Sequence, residues 1–576
     1  MNAERLLAHY GQIAEAPDAI ARLRRFILDL AVRGKLVPQD PSDEPASELL
    51  KRIAKEKARL VEAGDLRKPR NLNDSGDLAE PFAVPATWRW ARLDTVGAII
   101  GGGTPSAADP DNFAEPGEGV PWLTPADLGG YSDLYISRGA RDLSERGSRS
   151  SSATMMPKGT VLFTSRAPIG YVAIAANPIS TNQGFKSIVP YIADSSRFIA
   201  TAMKAFAPEI DAEAPGTTFK EVSGKIVAAI SFPLPPLAEQ HRITAKVDEL
   251  MALCDRLEAA QRAREATRNR LTVANLARLN VSDPEIFRAD ARFALDALPA
   301  LTMRPDQIKQ LRQTILNLAV RGKLVPQDPN HEPAERLLDR VLAQQWTKKR
   351  KLSELVPEDD AVSAAFPLPA EWIWASVEML VRPNETVTYG ILKPEWVKNG
   401  VPTVRVTEMK TGQIEVAALP HCDPARAAKF HKTMLAPGDL LISKDGTIGK
   451  TAFVPPELAG GNITQHVLRF PITDLVDRHF VRLAIDAPFC QAWMVGETKG
   501  VALQGVNVGD FRRMPIPLPP LDEQQRIVAK VDELMVLCDR LDASLAAAAA
   551  TRRHLLDALL AEALSSNVER AMRAAE

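Results

Sequence analysis

LPPLAEQHRITAKVDELMALCDRLEAAQRA, Leu234 to Ala263, decides the architecture because it returns as LPPLDEQQRIVAKVDELMVLCDRL from Leu518 to Leu541. From Pro233 to Leu257 the copies differ only at Ala238/Asp522, His241/Gln525, Thr244/Val528 and Ala252/Val536. Apolar residues stand at Ile243, Val247, Leu250, Cys254 and Leu257, and again at Ile527, Val531, Leu534, Cys538, Leu541 and Leu545. Steps of four and three put them on one stripe of a helix, the spacing of a coiled-coil seam. Two long helices are predicted, and the chain is organised in duplicate around them.

A second duplication precedes each helix. LAVRGKLVPQDP occurs unchanged at Leu30–Pro41 and Leu318–Pro329, preceded by LRRFILD (Leu23–Asp29) and LRQTILN (Leu311–Asn317). Each copy reads as an amphipathic helix that ends near Gly34 or Gly322, since glycine tolerates the left-handed conformation of a C-terminal cap. A second helix is predicted to start near Pro45 or Pro333. FAVPATWRW (Phe82–Trp90) and FPLPAEWIW (Phe366–Trp374) follow, and after each come short β-rich runs punctuated by Gly, Pro, Asn and Asp. In these regions GTVLFTSRAPIG (Gly159–Gly170) parallels GDLLISKDGTIG (Gly438–Gly449), and STNQGFKSI (Ser180–Ile188) parallels NITQHVLRF (Asn462–Phe470). They resemble each other far less than their flanks do. The paired tryptophans Trp88/Trp90 and Trp372/Trp374 are expected to pack against the helical flank and not to stack on bases.

At 576 residues the chain is too long for one core. Its 45% hydrophobic and 25% charged residues are those of an ordinary globular protein. The N-terminal segment lacks the apolar region of a signal peptide, and no run approaches the roughly 20 apolar residues of a membrane span. The four cysteines include no C-x-x-C pair, so neither a disulfide framework nor a zinc ribbon is indicated. A net charge of −1 argues against a surface that grips nucleic acid all over, though not against a local basic groove.

Motifs for catalysis are missing. LISKDGTIGKT has Lys444 where a phosphate-binding loop needs its first glycine, and GGGTPS (Gly101–Ser106) lacks dinucleotide-binding spacing. No H-E-x-x-H, G-x-S-x-G or Asn-Pro-Pro-aromatic motif occurs, and His421, Cys422 and His431 lack a fourth metal ligand.

Three motifs recur in one order in both halves: LRQTILNLAVRGKLVPQDP, the W-x-W pair and PLPPLxEQxRIVAKVDELMxLCDxL. Together they resemble the specificity (S) subunits of type I restriction–modification enzymes over nearly the whole chain. The resemblance implies an α+β fold in which two α/β target-recognition domains are separated by two long helices packed as an antiparallel coiled coil, an internal pseudo-twofold repeat. It implies a helical segment at 1–80, a first recognition domain at 81–235 and a central spacer helix at 236–280. A connector with the second helical segment at 281–365, a second recognition domain at 366–517 and a C-terminal spacer helix at 518–576 follow. Each domain is expected to bind one half of a split double-stranded DNA target while the helices set the gap and dock two modification (methyltransferase) subunits. Two ATP-dependent restriction subunits can join them. S-adenosylmethionine, ATP and magnesium are then cofactors of the partners, this chain carries no active site or metal, and the complex works in the prokaryotic cytoplasm. The alternatives are a coiled-coil scaffold with protein-binding domains and a fused DNA methyltransferase.

If two diverged domains read different half-sites, residues matched between them should be scaffold or phosphate contacts, and unmatched ones should read bases. The matched pairs are Thr104 with Thr388, Thr164 with Ser443 and Gln183 with Gln465. The expected readers are Ser106, Thr124, Arg166 and Lys186 in the first domain, and Tyr389, Arg405, Lys410 and Lys444 in the second.

Overall fold

Each half of the chain must bring its W-x-W segment back to the P-L-P-P segment that starts its long helix. The computed structural model shows how. It describes residues 16–565 apart from 17, 65–77, 167, 217–219, 282–288, 290–291, 294–295, 298–303, 346–365, 411, 497 and 500–504. Much of the predicted connector thus lies outside the described residues. The chain divides into two compact units, Met1–Ala263 with Ala549–Glu576, and Arg264–Ala548.

In the first unit, α1 (Ala19–Val32) buries Phe26, Ile27, Ala31 and Val32 and leads through a turn to α2 (Ala46–Glu62). Gly34 sits in that turn at φ +65°, and a Cβ there would lie 2.4 Å from Pro85 Cγ, so both conformation and close approach demand glycine. The chain then forms β1 (Arg89–Arg92), β2 (Gly97–Gly101), β3 (Val120–Leu123), β4 (Tyr135–Ile136), β5 (Val161–Phe163), β6 (Val172–Ala175), β7 (Ser180–Thr181) and β8 (Lys186–Pro190). Five of these make a sheet in the order β2-β8-β5-β6-β4, while β3 runs parallel to β7 in a second sheet. α3 (Ser196–Glu213) lays Phe198, Ile199 and Met203 in one buried cluster with Val161, Phe163 and Ile188. After the short α4 (Gly224–Ala229), β9 (Ser231–Leu234) pairs antiparallel with β1, Arg89 opposite Leu234. This two-stranded clasp closes the domain and delivers the chain to α5 (Leu237–Val281), a helix of 45 residues.

The second unit repeats the plan. α6 (Pro305–Val320) and α7 (Ala334–Gln345) flank Gly322 at φ +66°, where a Cβ would lie 2.4 Å from Pro369 Cγ. Then come β10 (Ile373–Ser376), β11 (Thr388–Tyr389), β12 (Val401–Val404), β13 (Leu440–Ser443), β14 (Thr451–Phe453), β15 (Asn462–Ile463) and β16 (Val467–Phe470). Their sheet order is β11-β16-β13-β14, and β12 runs parallel to β15. α8 (Arg478–Asp486), α9 (Pro488–Gly496) and α10 (Val508–Arg513) precede β17 (Pro515–Leu518), which clasps β10 with Ile373 opposite Leu518. α11 (Leu521–Ser565) is again 45 residues long. Mixed helix and sheet, with two α/β domains each running into a long helix, is the α+β class predicted.

The helical stripe has a more specific use than the seam alone suggests. Ile243, Val247 and Cys254 are buried in the first unit's cluster with Ile27, Ala31 and Phe198; Ile527, Val531 and Cys538 are buried in the second's with Ile308, Ile315 and Phe480. Leu250, Leu257 and Leu534 are half-buried. The predicted seam is interrupted at Leu541, which is 39% exposed, and resumes at Leu545, half-buried against the second unit's cluster. Polar contacts flank the stripe past the cysteines. Arg24 reaches Asp255 at 2.6 Å and Glu258 at 2.8 Å, and Arg312 reaches Asp539 and Asp542, both at 2.8 Å. The far ends of the helices pack elsewhere: Leu556 and Leu559 of α11 cluster with Ala16 and Ala19 in the first unit, and Leu276 and Leu279 of α5 with Leu318 in the second.

One buried carboxylate ties each clasp together. Trp88 Nε1 donates to Glu239 Oε2 at 2.9 Å, and Gln39 Nε2 donates to Glu239 Oε1 at 2.6 Å. In the second unit Trp372 Nε1 donates to Glu523 at 3.1 Å and Gln327 Nε2 at 2.6 Å. Burial pushes both carboxyls above their ordinary range, against the pull of these hydrogen bonds. The raised value means that the folded chain holds these protons longer than the unfolded one, so this contribution to stability declines as pH rises above the ordinary glutamate range. Glu239→Ala should orphan the buried Trp88 indole N–H and cost about 1–3 kcal/mol. Thermal unfolding checks this, and Glu523→Ala should lower the melting temperature similarly. A variant that melts like the parent would show that the carboxylate does not hold the clasp.

Candidate nucleic-acid interface

The two domains, so unlike in sequence, share one backbone frame at one end of the sheet. Thr164 donates its hydroxyl to Pro168 O at 2.8 Å and accepts from Tyr171 N at 2.8 Å. Ser443 donates to Thr447 O and accepts from Lys450 N at 2.9 Å, the same offsets of four and seven residues. The loop after β5 is thus the loop after β13, and in each a buried hydroxyl holds the turn.

Three further segments complete the frame. Ser165 N donates to Gly184 O and Val222 N to Ser165 O; Lys444 N donates to His466 O and Val506 N to Lys444 O. Gly103 N donates to Thr181 O as Ile391 N donates to Ile463 O. The chain crosses this last segment so closely that a Cβ on Gly102 would lie 2.0 Å from Asn182 O, and one on Gly390 1.9 Å from Ile463 O. Ser223 and Asn507 cap α4 and α10 from equivalent places.

The frame sorts the predicted site residues. Gln183 and Gln465 are equivalent: Gln183 accepts from Thr104 Oγ1, and Gln465 Oε1 accepts from Lys393 N at 3.1 Å. Thr104 and Thr388 are not. Lys186 lies opposite Gly101, whereas Leu468 lies opposite Tyr389, so Thr388 matches Ile100 and Thr104 falls at Leu392. Sequence matching there follows residue type, while register follows the two glycines. Conversely Thr124 and Arg405, read from sequence as unmatched, occupy one position. Each follows its parallel strand and caps a turn, Thr124 N donating to Asp127 at 2.7 Å and Arg405 N to Glu408 at 3.1 Å. The Arg405 guanidinium also grips Glu408 at 2.7 Å. Lys410, on a hairpin, pairs with Glu415 at 2.9 Å, a hydrogen bond that pushes its ammonium up. The Ser106 side chain is exposed, and its carbonyl accepts from Asn112 Nδ2 at 3.0 Å.

Three predicted residues of the second domain, Tyr389, Lys444 and Gln465, line one open cavity of about 300 Å³ together with Leu392, Val506, Asn507 and Val508. Lys444 Nζ lies 2.8 Å from Asp445, whose other neighbour is His466 Nδ1 at 2.8 Å. In the first domain Arg166 lies 3.8 Å and Lys186 3.9 Å from Glu221. Burial pushes the Lys186 ammonium down, opposed by Glu221. Asp445, His466, Asn507 and Glu221 were not among the sequence candidates. A search for acids paired with predicted cations would have found Asp445, which adjoins Lys444, but nothing local links Glu221 to Arg166. Among the described residues no group of three or more His, Cys, Asp or Glu is set to hold a metal, and no helix is long and apolar enough to cross a membrane.

Residues 85–268 and 395–545 match the model of the type I restriction modification DNA specificity domain. The chain is 30% identical to the type I restriction enzyme EcoAI specificity subunit of Escherichia coli, over 95% of this chain and 94% of that one. It is 28% identical to the EcoEI specificity subunit of Escherichia coli, over the same shares. A chain in a solved structure of the type I R-M system is similar at 20% identity and a TM-score of 0.48, covering 84% of this chain and 99% of that one.

Because one hydroxyl holds each loop, Ser443→Ala should free the Lys450 amide, and Thr164→Val the Tyr171 amide. Losing one such bond costs about 0.5–1.5 kcal/mol, so amide exchange there should quicken roughly two- to tenfold by mass spectrometry. Unchanged exchange would mean that the backbone alone fixes the turn.

Proposed function

The chain belongs to the family of type I restriction–modification DNA specificity subunits, and we propose that each of its domains reads one half of an asymmetric, bipartite duplex target. The observation that carries this reading is a common frame with exchanged side chains. Where the first domain has Gly101, Ser165, Arg166, Gly184 and Glu221, the second has Tyr389, Lys444, Asp445, His466 and Gly505. A frame that repeats while its side chains change suits two surfaces built for one kind of ligand with two sequences, since base edges are told apart by donor and acceptor pattern.

Chemistry in such a complex falls to the partners: modification subunits that take S-adenosylmethionine, and restriction subunits that take ATP and magnesium, all in the cytoplasm of a prokaryote. Two modification subunits need two like surfaces. Lys246, Glu249, Leu253 and Arg256 share one face of α5 at steps of three and four, and Lys530, Glu533, Leu537 and Arg540 repeat it on α11. Leu253 is 43% and Leu537 45% exposed, in nearly identical surroundings. An exposed leucine at the same place in both copies suits an apolar contact made twice.

Adenine methylomes of the host with and without this gene test the central reading. Loss of a single bipartite motif is expected, and an unchanged methylome would overturn it. Four residues inserted within Glu258–Thr272 lengthen α5 by about 6 Å, so the gap in the motif should grow by roughly one or two base pairs with both halves unchanged. Altered halves with a constant gap would refute the helix as spacer. Leu253→Asp with Leu537→Asp should abolish co-purification of the modification subunit while the chain stays folded by circular dichroism. Undiminished capture would place the docking surface elsewhere.

A further inference from the structure

The loop junction in each domain sets one carboxylate between two nitrogen-bearing side chains, made from different positions. In the first domain one carboxylate, Glu221, stands between two cations, Arg166 at 3.8 Å and Lys186 at 3.9 Å. In the second, Asp445 stands between Lys444 and His466, each at 2.8 Å. Arg166 faces Glu221 across an isolated antiparallel bridge, and Asp445 faces Gly505 across the equivalent bridge. The acid has therefore changed sides. It comes from the segment before α4 in the first domain and from the loop after β13 in the second. The partner position has adjusted to the change, for a Cβ on Gly505 would lie 2.0 Å from Asp445 Oδ1. A side chain like that of Glu221 cannot occupy that place while Asp445 keeps its position.

Resting on the reading that both domains contact duplex DNA, we propose that Arg166–Glu221–Lys186 and Lys444–Asp445–His466 are the base-reading clusters of the two domains, in which the central carboxylate is a positioning and selectivity residue. Free lysine and arginine at a DNA-facing loop bind phosphate anywhere along the duplex, and that binding carries no sequence information. A carboxylate between them offsets their charge and fixes their direction. It also adds an acceptor that can take a hydrogen bond from the cytosine amino group, beside donors suited to guanine O6 and N7. Moving the acid across the bridge changes the order of donors and acceptors without moving the backbone. Two domains on one frame thereby read different base pairs. In the second domain the cluster borders the cavity lined by Tyr389, Gln465 and Asn507, which gives a base edge room to enter.

The test uses the assembled complex with its modification subunits and a pool of randomised duplexes, from which bound molecules are selected and sequenced. Glu221→Gln and Arg166→Ala should change only one half of the selected motif, and Asp445→Asn and Lys444→Ala only the other. With the parent's selected duplex and a scrambled one, Asp445→Asn should lower discrimination by about tenfold, the order of a single mismatched pair. Its binding to the scrambled duplex should become tighter and more steeply salt-dependent, which a merely structural defect would not produce. Co-purification of the modification subunits verifies that each variant is folded. An unchanged motif and unchanged discrimination in folded variants would overturn the inference while leaving the bipartite reading intact. So would a loss of both halves together. A parent complex that selects no bipartite motif would overturn the functional reading and this inference with it.

Discussion

A buried carboxylate that accepts from a tryptophan and a glutamine is the constraint on which each unit depends. Glu239 lies in the first turn of α5, Trp88 just before β1, and Gln39 in the turn between α1 and α2. Three segments spread over 200 residues meet at one side chain. Taking an ion out of water is costly unless its lone pairs are filled, and here both oxygens are used. That makes the contact selective: no two of the three segments can satisfy it alone. The clasp of β1 with β9 and the start of the long helix are thereby fixed to the helical pair, and Glu523 repeats the arrangement with Trp372 and Gln327.

Such a clasp explains how the domains can differ while their flanks do not. The chain enters and leaves each domain at neighbouring strands, so the residues between are a closed insertion. Changes inside the insertion leave the carboxylate, the clasp and the helical stripe untouched. Within it, a second layer of constraint appears in the glycines and hydroxyls that hold the loops. Gly102 and Gly390 persist because the backbone passes at contact distance, and Thr164 and Ser443 because one hydroxyl bridges the loop. Everything that touches neither layer is free to vary.

This hierarchy also decides what could be read in advance. The long helices, the helical pairs and the twin glycines were legible because helical periodicity and literal repetition are local signals. The tryptophans were legible as packing residues: Trp88 meets Phe198 edge-on at 6.0 Å, and Trp372 meets Phe480 at 6.2 Å. The interface was only half legible. Thr124 and Arg405 share a position but no chemistry, so no string comparison pairs them, and Thr104 and Thr388 match in chemistry but not in register. Glu221 escaped because its partner Arg166 is 55 residues away and meets it only across an isolated bridge. The break in the seam at Leu541 was hidden for a related reason. Leu541 continues the apolar period, but Arg312, far away in sequence, brings polar contacts to Asp539 and Asp542 beside it.

Charge balance gives the site its character. With 71 basic and 72 acidic residues the chain has no excess of cations with which to hold a polyanion. Phosphate binding scales with the number of cations offered to the backbone, and it rewards every sequence alike. At both loop junctions the cations are held by a carboxylate, and on the neighbouring elements Arg405 is held by Glu408 and Lys410 by Glu415. A surface of that kind gains little from a random duplex. Its free energy must come from base edges that satisfy donors and acceptor together, or from partners that supply the backbone grip. If these cations read bases, pairing each with an acid lowers affinity for random DNA by more than affinity for the target, and that difference is the quantity a recognition subunit has to deliver.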